Sequence, residues 1–308
     1  MCATCGCGDD GAVITPAGQA PAHHHHTHEG HTHDHTHADH DHTHDQTHDQ
    51  ADHTHVHTET VSLEQKVLAK NDLVAAENRR WLAEHDILAF NLTSSPGAGK
   101  TTLLERTIRD LGRDRPIAVI EGDQETLLDA ERIRRAGARA VQVNTGAGCH
   151  LDAEMVRRAL EALHPDRGTL LFIENVGNLV CPAMFDLGEH SKVLVISVTE
   201  GADKPLKYPH MFAAAGVVIV NKIDLLPYVD FDVDVCAGHA RSINPDLDIL
   251  ALSATTGDGT ADWYAWIADL ANQPKSDMSR ELVDKTMSAG VDREISAAQV
   301  GRRSTPAV

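Results

Sequence analysis

Residues 87–108, ILAFNLTSSPGAGKTTLLERTI, pass from an apolar run through a glycine-containing loop into the pattern of a helix. The loop meets the phosphate-binding pattern G-x-x-x-x-G-K-[ST] at Gly99, Lys100 and Thr101, whereas Ser94 occupies the place of the first glycine. A loop of this kind directs backbone N–H groups and a helix N-terminus at phosphates. We therefore expect Lys100 to reach the β- and γ-phosphates of a nucleotide and the Thr101 hydroxyl to bind Mg²⁺.

The rest of this loop consists of small residues that leave room for a phosphate. Serine at position 94 is small enough for the opening turn, and the following glycines keep the backbone free to turn. We expect the nucleotide to be bound by Gly97, Ala98, Gly99, Lys100, Thr101 and Thr102. The alternative is an ordinary glycine turn before a helix, which the order of strand, loop and helix disfavours.

Outside this stretch, apolar runs alternate with amphipathic helical patterns. The runs are PIAVI, ARAVQV, TLLFIE, KVLVISV, GVVIV and DILALS, most of them rich in Val, Ile and Leu on both faces. Strands buried on both sides of a sheet have this composition. The alternation predicts an α/β fold of the P-loop NTPase type, a mostly parallel sheet flanked by helices, with functional loops at the carboxyl ends of the strands. We expect a leading amphipathic helix in residues 61–85.

A second loop, in GVVIVNKID (residues 216–224), indicates which base the nucleotide carries. Asn221, Lys222 and Asp224 follow a buried apolar run. A carboxylate at Asp224 can accept hydrogen bonds from N1 and N2 of guanine, whereas adenine has an acceptor at N1 and leaves the carboxylate unpaired. We expect Lys222 to cover the base and Asn221 to fix the neighbouring loop. The predicted nucleotide is therefore GTP.

Three more strand ends complete the predicted nucleotide site. ILALSATTG ends a strand at Ser253 and Ala254, where a backbone N–H is expected to meet the guanine oxygen. PIAVIEGDQET offers Asp123 and LLFIENVGN offers Glu174, and a carboxylate at a strand end can bind Mg²⁺ or its waters. Gly177 offers an N–H to the γ-phosphate. For either acid, a helix cap or a solvated loop residue is the alternative.

A second candidate metal site uses cysteine and histidine. Cys149 and His150 stand side by side in NTGAGCHLD, and Cys181 follows in ENVGNLVCP. Two thiols and an imidazole on neighbouring strand ends suit Ni²⁺ or Zn²⁺. The alternative is a buried hydrophobic cysteine beside a solvated histidine. Because Cys181 lies four residues beyond Gly177, we expect the γ-phosphate to change the metal geometry when it draws that loop inward.

Residues 1–60 contain no Lys or Arg, ten Asp or Glu and few large apolar side chains. Such a segment cannot bury enough surface to offset chain entropy, so we expect a disordered tail. Sixteen of the 22 histidines lie in residues 23–57, and their spacing predicts weak binding of several divalent ions. An expression tag and a solvated acidic spacer are the alternatives.

Three cysteines, Cys2, Cys5 and Cys7, form a C-x-x-C-x-C pattern at the chain end. Three thiolates and the terminal amine offer four donors that a short peptide can place in a plane, which suits Ni²⁺ or Cu²⁺, whereas a tetrahedral set suits Zn²⁺. A redox role is disfavoured because a thioredoxin-like scaffold is missing. We expect three zones: a metal-binding tail (1–60), a P-loop GTPase domain (61–273) and a polar C-terminal extension (274–308).

Charge and hydropathy exclude several classes of function. The chain has 27 Lys and Arg against 46 Asp and Glu, a net charge of −19, so a basic nucleic-acid groove is not expected. The sequence contains no run of about eighteen apolar residues, so a membrane-spanning helix is not expected. The N-terminal residues do not have the basic and apolar pattern of a secretory signal, so we do not expect secretion. In a protein that is not secreted, clustered cysteines are expected to be reduced thiols. We therefore expect a cytoplasmic protein that binds neither nucleic acid nor membrane.

Six motifs in a fixed order resemble those of a known family. SSPGAGKTT, EGDQET, NTGAGCHLD, ENVGNLVCP, VTEGADKPLKYP and NKIDLLP look like the HypB family, GTPases that incorporate nickel during [NiFe]-hydrogenase maturation. The resemblance covers residues 61–273, and MCATCGC resembles the tight nickel site of some members. It implies a slow, Mg²⁺-dependent homodimeric GTPase whose metal site, near the subunit interface, falls on Cys149, His150 and Cys181. The implied partners are the nickel- and zinc-binding accessory protein HypA and the hydrogenase large subunit precursor, and Lys204 is implied in the nucleotide pocket or dimer contact.

These observations predict a GTP-hydrolysing nickel metallochaperone that assists Ni²⁺ insertion into the hydrogenase large subunit, with the GTP state coupled to the metal site. Catalysis is assigned to Lys100, Thr101, Asp123 and Glu174. One alternative is a nickel storage protein with incidental GTP binding. The other is a GTPase metallochaperone for another metalloenzyme such as urease, whose relatives carry a Cys-Pro-His motif that this chain lacks.

Overall fold

The computed structural model describes residues 13–16, 53–123, 128–146 and 148–273. Eight strands form one sheet: β1 (Val13–Pro16), β2 (Leu88–Ser94), β3 (Ile117–Asp123), β4 (Arg139–Asn144), β5 (Leu170–Glu174), β6 (Ser191–Ser197), β7 (Val217–Asn221) and β8 (Asp248–Ala251). Their order across the sheet is β1-β4-β3-β5-β2-β6-β7-β8. Strands β2 to β8 are all parallel, and β1 pairs antiparallel with β4 at the edge.

Helices connect the parallel strands and cover both faces of the sheet. They are α1 (His53–Glu84), α2 (Lys100–Leu111), α3 (Leu128–Ala136), α4 (Ala153–Leu163), α5 (Cys181–Met184), α6 (Lys204–Lys207), α7 (Pro209–Ala214), α8 (Val233–Ile243) and α9 (Thr260–Asn272), with a 3₁₀ helix at Ile223–Tyr228. The start of α4 shows how the sequence sets these boundaries. The carboxylate of Asp152 accepts from the N–H of Met155 at 2.7 Å and so caps the helix.

The apolar runs become the central strands because both of their faces are buried. Strands β2 and β6 are buried along their whole lengths. On one face Phe90 and Phe172 pack with Trp263 of α9, and on the other Ile120 and Ile173 pack near α4. The predicted α/β fold with a mostly parallel sheet flanked by helices is confirmed, and each apolar run corresponds to one parallel strand.

Two described elements lie partly or wholly inside the segment expected to be a disordered tail. Strand β1 occupies residues 13–16, and α1 begins at His53 rather than near residue 61. Short apolar sequence at Val13 and Ile14 is enough for an edge strand, because sheet pairing uses backbone groups that every residue has. The Cys2, Cys5 and Cys7 motif, the histidines before residue 53 and the C-terminal extension lie outside the described residues.

The order of the strands determines where the functional loops meet. Strand β2 lies at the centre, between β5 and β6, and the loop that follows it carries the phosphate-binding motif. The carboxyl ends of β3, β4, β5, β7 and β8 lie along the same edge because the strands are parallel. Among the described helices, none is long and apolar enough to cross a membrane.

Candidate functional site

The phosphate-binding loop (residues 94–101) connects β2 to α2 around the side chain of Lys100. Lys100 Nζ donates to Ser94 Oγ at 2.8 Å, so serine at the first glycine position acts as a partner of the lysine. Gly97 and Gly99 have positive φ angles of 74° and 100°, which suit glycine. A Cβ at Gly99 would also lie 2.5 Å from Asn221 Nδ2. The turn therefore requires glycine at this position for two reasons.

Both positively and negatively charged side chains lie near the beginning of α2. Burial lowers the pKa of Lys100, while the negative charges of nearby carboxylates, led by Glu174, act in the opposite direction. Thr102 Oγ1 accepts from Arg132 Nη2 at 3.4 Å, and Arg132 also pairs with Glu105 at 2.9 Å. A desolvated ammonium group at the start of a helix is suited to an anionic phosphate.

Thr101 and Glu174 lie together where Mg²⁺ is expected to bind, and this pair of residues is here called the metal corner. Thr101 Oγ1 donates to Glu174 Oε1 at 2.7 Å, and Glu174 Oε2 is buried without a hydrogen-bond partner among the described residues. Burial raises the pKa of Glu174, whereas Lys100 and Thr101 act to lower it. Asp123 ends the neighbouring strand and is less buried. Oxygen donors with one unsatisfied carboxylate oxygen fit a hard divalent cation such as Mg²⁺.

Glu121 joins this corner and was missed by reasoning from the sequence. It lies on β3 two residues before Asp123, and its Cα is paired with that of Glu174. The residue is 2% exposed, and its Oε2 has no hydrogen-bond partner in the described part of the chain. Burial, together with Glu174, raises the pKa of Glu121 to about 9. The signal in the sequence is an acidic residue within an apolar strand, where an unpaired charge is normally avoided.

The NKID loop after β7 folds against the phosphate-binding loop. Asn221 Nδ2 donates to the Ala98 carbonyl at 2.9 Å, and Lys222 Nζ donates to the Gly97 carbonyl at 2.7 Å. Asp224 Oδ1 is buried and lacks a hydrogen-bond partner among residues that the structure describes. A buried acceptor of this kind is best satisfied by a ligand that brings N–H groups, as guanine does.

Ser253 and Ala254, one of whose amides is expected to meet the guanine oxygen, follow the end of β8. The N–H of Ser253 donates to the Asp258 carbonyl at 2.9 Å, and the N–H of Ala254 donates to Asn221 Oδ1 at 3.0 Å. Both amides are thus engaged within the protein. In this structure they stabilise the turn after β8 and the orientation of Asn221, a long-range contact that sequence alone does not reveal.

The segment 174–178, here called the switch loop, runs close beside the phosphate-binding loop. A Cβ at Gly177 would lie 3.2 Å from Pro96 Cα, tighter than an ordinary carbon contact. The start of the segment is attached to β2, because the N–H of Asn175 donates to the Leu92 carbonyl at 2.9 Å. Glycine at 177 therefore allows the two loops to touch through their backbones.

The other side of the switch loop is bonded to residues 145–152, here called the metal loop. Asn175 Oδ1 accepts from the N–H of Leu151 at 3.1 Å. Asn178 Nδ2 donates to the Cys149 carbonyl at 3.2 Å. Asn175 is 2% exposed, so its bond is shielded from water. The switch loop thus lies between the nucleotide loop and the metal loop, in contact with both.

Cys149, His150 and Cys181 come together at this edge of the sheet. The two Sγ atoms are 3.0 Å apart, and Cys149 Sγ is 3.6 Å from His150 Nδ1. One ligand atom from each residue lies within 4.8 Å of the other two. Cys181 is the first residue of α5 and lies three residues after the end of the switch loop. Two thiols and an imidazole at this spacing can bind one borderline divalent ion.

Packing around His150 favours the form that binds metal. Its ring lies against the ring of Phe185, with centroids 4.0 Å apart, and burial lowers the pKa of His150. The neutral imidazole, which is the ligating form, is therefore retained. Helix α1 is hydrogen-bonded to the chain just after the metal loop. The N–H of Ala153 donates to Asn71 Oδ1 at 2.9 Å, and the carbonyl of Ala153 accepts from Asn78 Nδ2 at 2.8 Å.

Lys204 makes its described contacts within its own segment. Its Nζ lies 2.9 Å from Glu200 Oε2 and 5.1 Å from the centre of the Tyr208 ring. These contacts hold the lysine as an ion pair and a cation–π pair at the start of α6. They do not connect it to the phosphate-binding loop.

A family model matches residues 88–251 of this chain. Its description is CobW/HypB/UreG, nucleotide-binding domain. The matched range begins at β2 and ends at β8, and it includes the phosphate-binding loop, the switch loop, the NKID loop and the Cys-His-Cys cluster. Ser253 and Ala254 lie just beyond it.

Similar proteins match about two thirds of this chain. The hydrogenase maturation factor HypB of Azotobacter chroococcum mcd 1 is 61% identical over 207 residues, which is 67% of this chain and 68% of the relative. The protein of that description from Escherichia coli K12 is 56% identical over 207 residues, 67% and 71% of the two chains. The crystal structure of HypB from Helicobacter pylori in complex with nickel superposes with a TM-score of 0.62 at 37% identity, covering 66% of this chain and 95% of that one.

Proposed function

This chain belongs to the HypB family within the CobW/HypB/UreG nucleotide-binding proteins, and we propose that it is a GTP-hydrolysing nickel metallochaperone that assists Ni²⁺ insertion into the [NiFe]-hydrogenase large subunit. One observation carries this proposal. The switch loop touches the phosphate-binding loop through Gly177 and is hydrogen-bonded to the metal loop through Asn175 and Asn178. A nucleotide and a metal ion bound at these two loops would therefore share one structural element.

Guanine recognition rests on Asp224. The unsatisfied Oδ1 of its carboxylate would accept from guanine, while Lys222 and Asn221 join the base site to the phosphate-binding loop. Adenine presents no donor at N1 and would leave the carboxylate unpaired in a buried place. Specificity for GTP over ATP follows from this difference.

Hydrolysis requires water to attack the γ-phosphorus and the bond to the β–γ bridging oxygen to break, giving GDP and phosphate. Lys100 and the backbone N–H groups of residues 97–102 would stabilise the charge on the phosphate oxygens. Thr101, Asp123 and Glu174, with Glu121, would hold Mg²⁺, which supplies further charge neutralisation when bound. We expect turnover to be slow, as the family resemblance implies.

Nickel is the cargo of this protein and not its catalyst. Cys149, His150 and Cys181 offer two sulfur donors and one nitrogen donor to Ni²⁺, and the same set would accept Zn²⁺. The relative from Helicobacter pylori, solved in complex with nickel, supports a nickel-binding role. The Cys2, Cys5 and Cys7 motif and the histidine tract would add a second and a third nickel-binding region.

The coupling between nucleotide and metal follows from the position of the switch loop. A γ-phosphate that accepts a hydrogen bond from the Gly177 N–H would draw the loop inward. Asn178 would then pull on the Cys149 carbonyl, and Cys181 would move with the beginning of α5. Hydrolysis removes the γ-phosphate and would reverse the shift, so the metal geometry depends on the nucleotide.

The cellular setting of this activity belongs to the same proposal. The protein would act in the cytoplasm as a homodimer, with the accessory protein HypA and the hydrogenase large subunit precursor as partners. The name shared by the similar proteins, hydrogenase maturation factor, supports this assignment. The tail (1–60), the GTPase domain (61–273) and the extension (274–308) would be its functional parts.

Metal analysis combined with a GTP hydrolysis assay tests the proposal. The proteins to compare are the wild type, Cys149→Ala and a form lacking residues 1–8. We expect Cys149→Ala to lose one equivalent of tightly bound nickel while it still hydrolyses GTP, and the truncated form to lose a different equivalent. Unchanged nickel binding in Cys149→Ala, or no GTP hydrolysis by the wild type, would contradict the proposal.

A further inference from the structure

A buried ion pair lies where the loop of residues 185–190 joins α5 to β6. Lys192 Nζ is 3.7 Å from Glu189 Oε1, and the two side chains are 8% and 6% exposed. Lys192 is the second residue of β6, and Glu189 lies in the loop before it. Charged side chains are rarely buried unless they are paired and hydrogen-bonded. The hydrogen bonds of this pair therefore indicate what it does.

Glu189 connects the loop to the middle of the sheet. Its Oε2 accepts from the N–H of Leu187 at 2.7 Å, within the same loop. Its Oε1 accepts from Asn91 Nδ2 at 3.1 Å, and Asn91 is fully buried on β2. An ionised carboxylate only accepts hydrogen bonds, so the amide nitrogen of Asn91 must face Glu189 and its oxygen must face away.

The oriented amide of Asn91 in turn fixes Asn175 of the switch loop. Asn91 Oδ1 accepts from Asn175 Nδ2 at 3.3 Å. The oxygen of the second amide therefore points away from β2, and it accepts from the N–H of Leu151 at 3.1 Å. Leu151 directly follows His150. This series of hydrogen bonds begins at Glu189 and ends beside a candidate metal ligand.

Lys192 reaches the metal loop by a second route. Its Nζ donates to the Phe185 carbonyl at 2.9 Å. The ring of Phe185 lies against the ring of His150, with centroids 4.0 Å apart. Each route passes from the ion pair to the metal loop, and the two routes end at consecutive residues. The ion pair is therefore placed to fix both the backbone and one ligand of that loop.

We propose that Glu189 and Lys192 are positioning residues that hold the metal loop in the geometry that binds nickel. The proposal rests on the proposed binding of nickel at Cys149, His150 and Cys181. Burying two charges costs much of what their attraction returns, so such a pair is better suited to fixing hydrogen-bond directions than to adding stability. Residues that orient metal ligands without touching the metal typically change metal affinity about 10–100-fold.

The double variant Glu189→Gln/Lys192→Met tests the proposal on the full chain. The two replacements keep the side-chain sizes and remove both charges together, so no unpaired charge is left buried. Glutamine has a single acceptor oxygen and cannot accept from both Leu187 and Asn91. The hydrogen bonds that orient the metal loop are therefore lost, while the packing of the loop is retained.

The measurement follows Cys149 itself. Free Ni²⁺ is set with a metal buffer, and protection of Cys149 from alkylation is read from its own peptide by mass spectrometry, which separates this site from nickel bound elsewhere in the chain. We expect the double variant to need about tenfold more free Ni²⁺ than the wild type for half-maximal protection. The same free Ni²⁺ concentration in both proteins overturns the proposal.

Thr107→Val is the matched control for a general loss of stability. Thr107 is fully buried in the apolar cluster on the other face of the sheet, where its Oγ1 accepts from Trp263 Nε1 at 3.0 Å. The variant should lower the denaturant midpoint and leave the nickel dependence of Cys149 protection unchanged. If Thr107→Val shifts that dependence as much as the double variant does, the effect is one of stability and the proposal is overturned.

Two single changes decide the question if the double variant does not fold. Asn91→Ser breaks the link to Asn175, and Phe185→Leu removes the ring beside His150. Both changes leave the ion pair in place. A higher nickel requirement in either variant supports the proposal through the link that it cuts. An unchanged requirement in both variants overturns it.

The outcomes also separate this proposal from the nickel-binding function on which it rests. If Ni²⁺ does not protect Cys149 in the wild type, the proposed metal site is wrong and the positioning role is overturned with it. If the wild type is protected, and the double variant unfolds cooperatively and is protected at the same free Ni²⁺ concentration, only the positioning role is overturned.

Discussion

Asp224 has one buried carboxylate oxygen that receives no hydrogen bond from the described residues, and we propose that this oxygen selects the base that the site binds. Changing Asp224 to Asn replaces an acceptor by an amide that can also donate. We predict that Asp224→Asn lowers affinity for GTP about 100-fold, because hydrogen bonds to charged groups contribute about 1.5–3 kcal/mol. Xanthosine triphosphate, with an oxygen in place of the guanine 2-amino group, should bind the variant more tightly than the wild type. Titration with both nucleotides measures this, and wild-type affinity for GTP in the variant would refute it.

Glu121 is the second residue whose role follows from one unsatisfied atom. Its Oε2 is buried in the corner formed by Glu174 and Thr101. We predict that Glu121→Gln raises the Mg²⁺ concentration needed for half-maximal GTP hydrolysis at least tenfold, since groups that orient a metal typically change its affinity by about 10–100-fold. Glu131→Gln, on the exposed side of α3, is the matched control and should leave that concentration unchanged. An unchanged Mg²⁺ concentration for half-maximal hydrolysis in Glu121→Gln would show that Glu121 does not contribute to Mg²⁺ binding.

The switch loop is the element that joins the two candidate sites. Asn178 holds it to the metal loop through a single amide-to-carbonyl hydrogen bond of 3.2 Å. We predict that Asn178→Ala reduces the ratio of nickel affinities in the two nucleotide states about fivefold, because mutations along a coupling path change coupling energies by about 0.5–2 kcal/mol. Nickel titration with GDP and with a non-hydrolysable GTP analogue gives this ratio.

A matched control for Asn178→Ala is Asn244, the residue that follows the end of α8. Asn244 also donates its amide to a backbone carbonyl, that of Ala215, at 3.2 Å. Asn244→Ala should lower stability without changing the ratio of nickel affinities. Equal ratios in wild type and Asn178→Ala would mean that the coupling does not pass through this hydrogen bond.

Elements differ in how well the sequence predicts them. The seven parallel strands are predictable because burial on both faces demands runs of Val, Ile and Leu, and these runs are visible in the sequence. Strand β1 is not predictable from the sequence, because a strand of four residues at a sheet edge needs only backbone partners and one apolar contact. The amide of Ala254 donates to Asn221 Oδ1, 33 residues away along the chain. Such contacts depend on the folded loops and leave no local pattern.

On the scale of the whole chain, histidine is concentrated in one N-terminal segment. Residues 23–52 carry 13 of the 22 histidines, the last three of the tract being part of α1. We predict that deleting residues 23–52 removes several weakly bound nickel ions and leaves GTP hydrolysis unchanged. Equilibrium dialysis and a GTPase assay measure the two properties. Loss of GTP hydrolysis would contradict this prediction.

We propose that nucleotide and nickel bind to two sites of one structure that are coupled in free energy. The most direct measurement is the nickel affinity of the folded domain's site in a form lacking residues 1–8, with Mg²⁺ and either GDP or a non-hydrolysable GTP analogue. Coupling energies between two sites are typically about 1–3 kcal/mol, so we predict affinities that differ at least about fivefold. Equal nickel affinities in the two nucleotide states would contradict the claim.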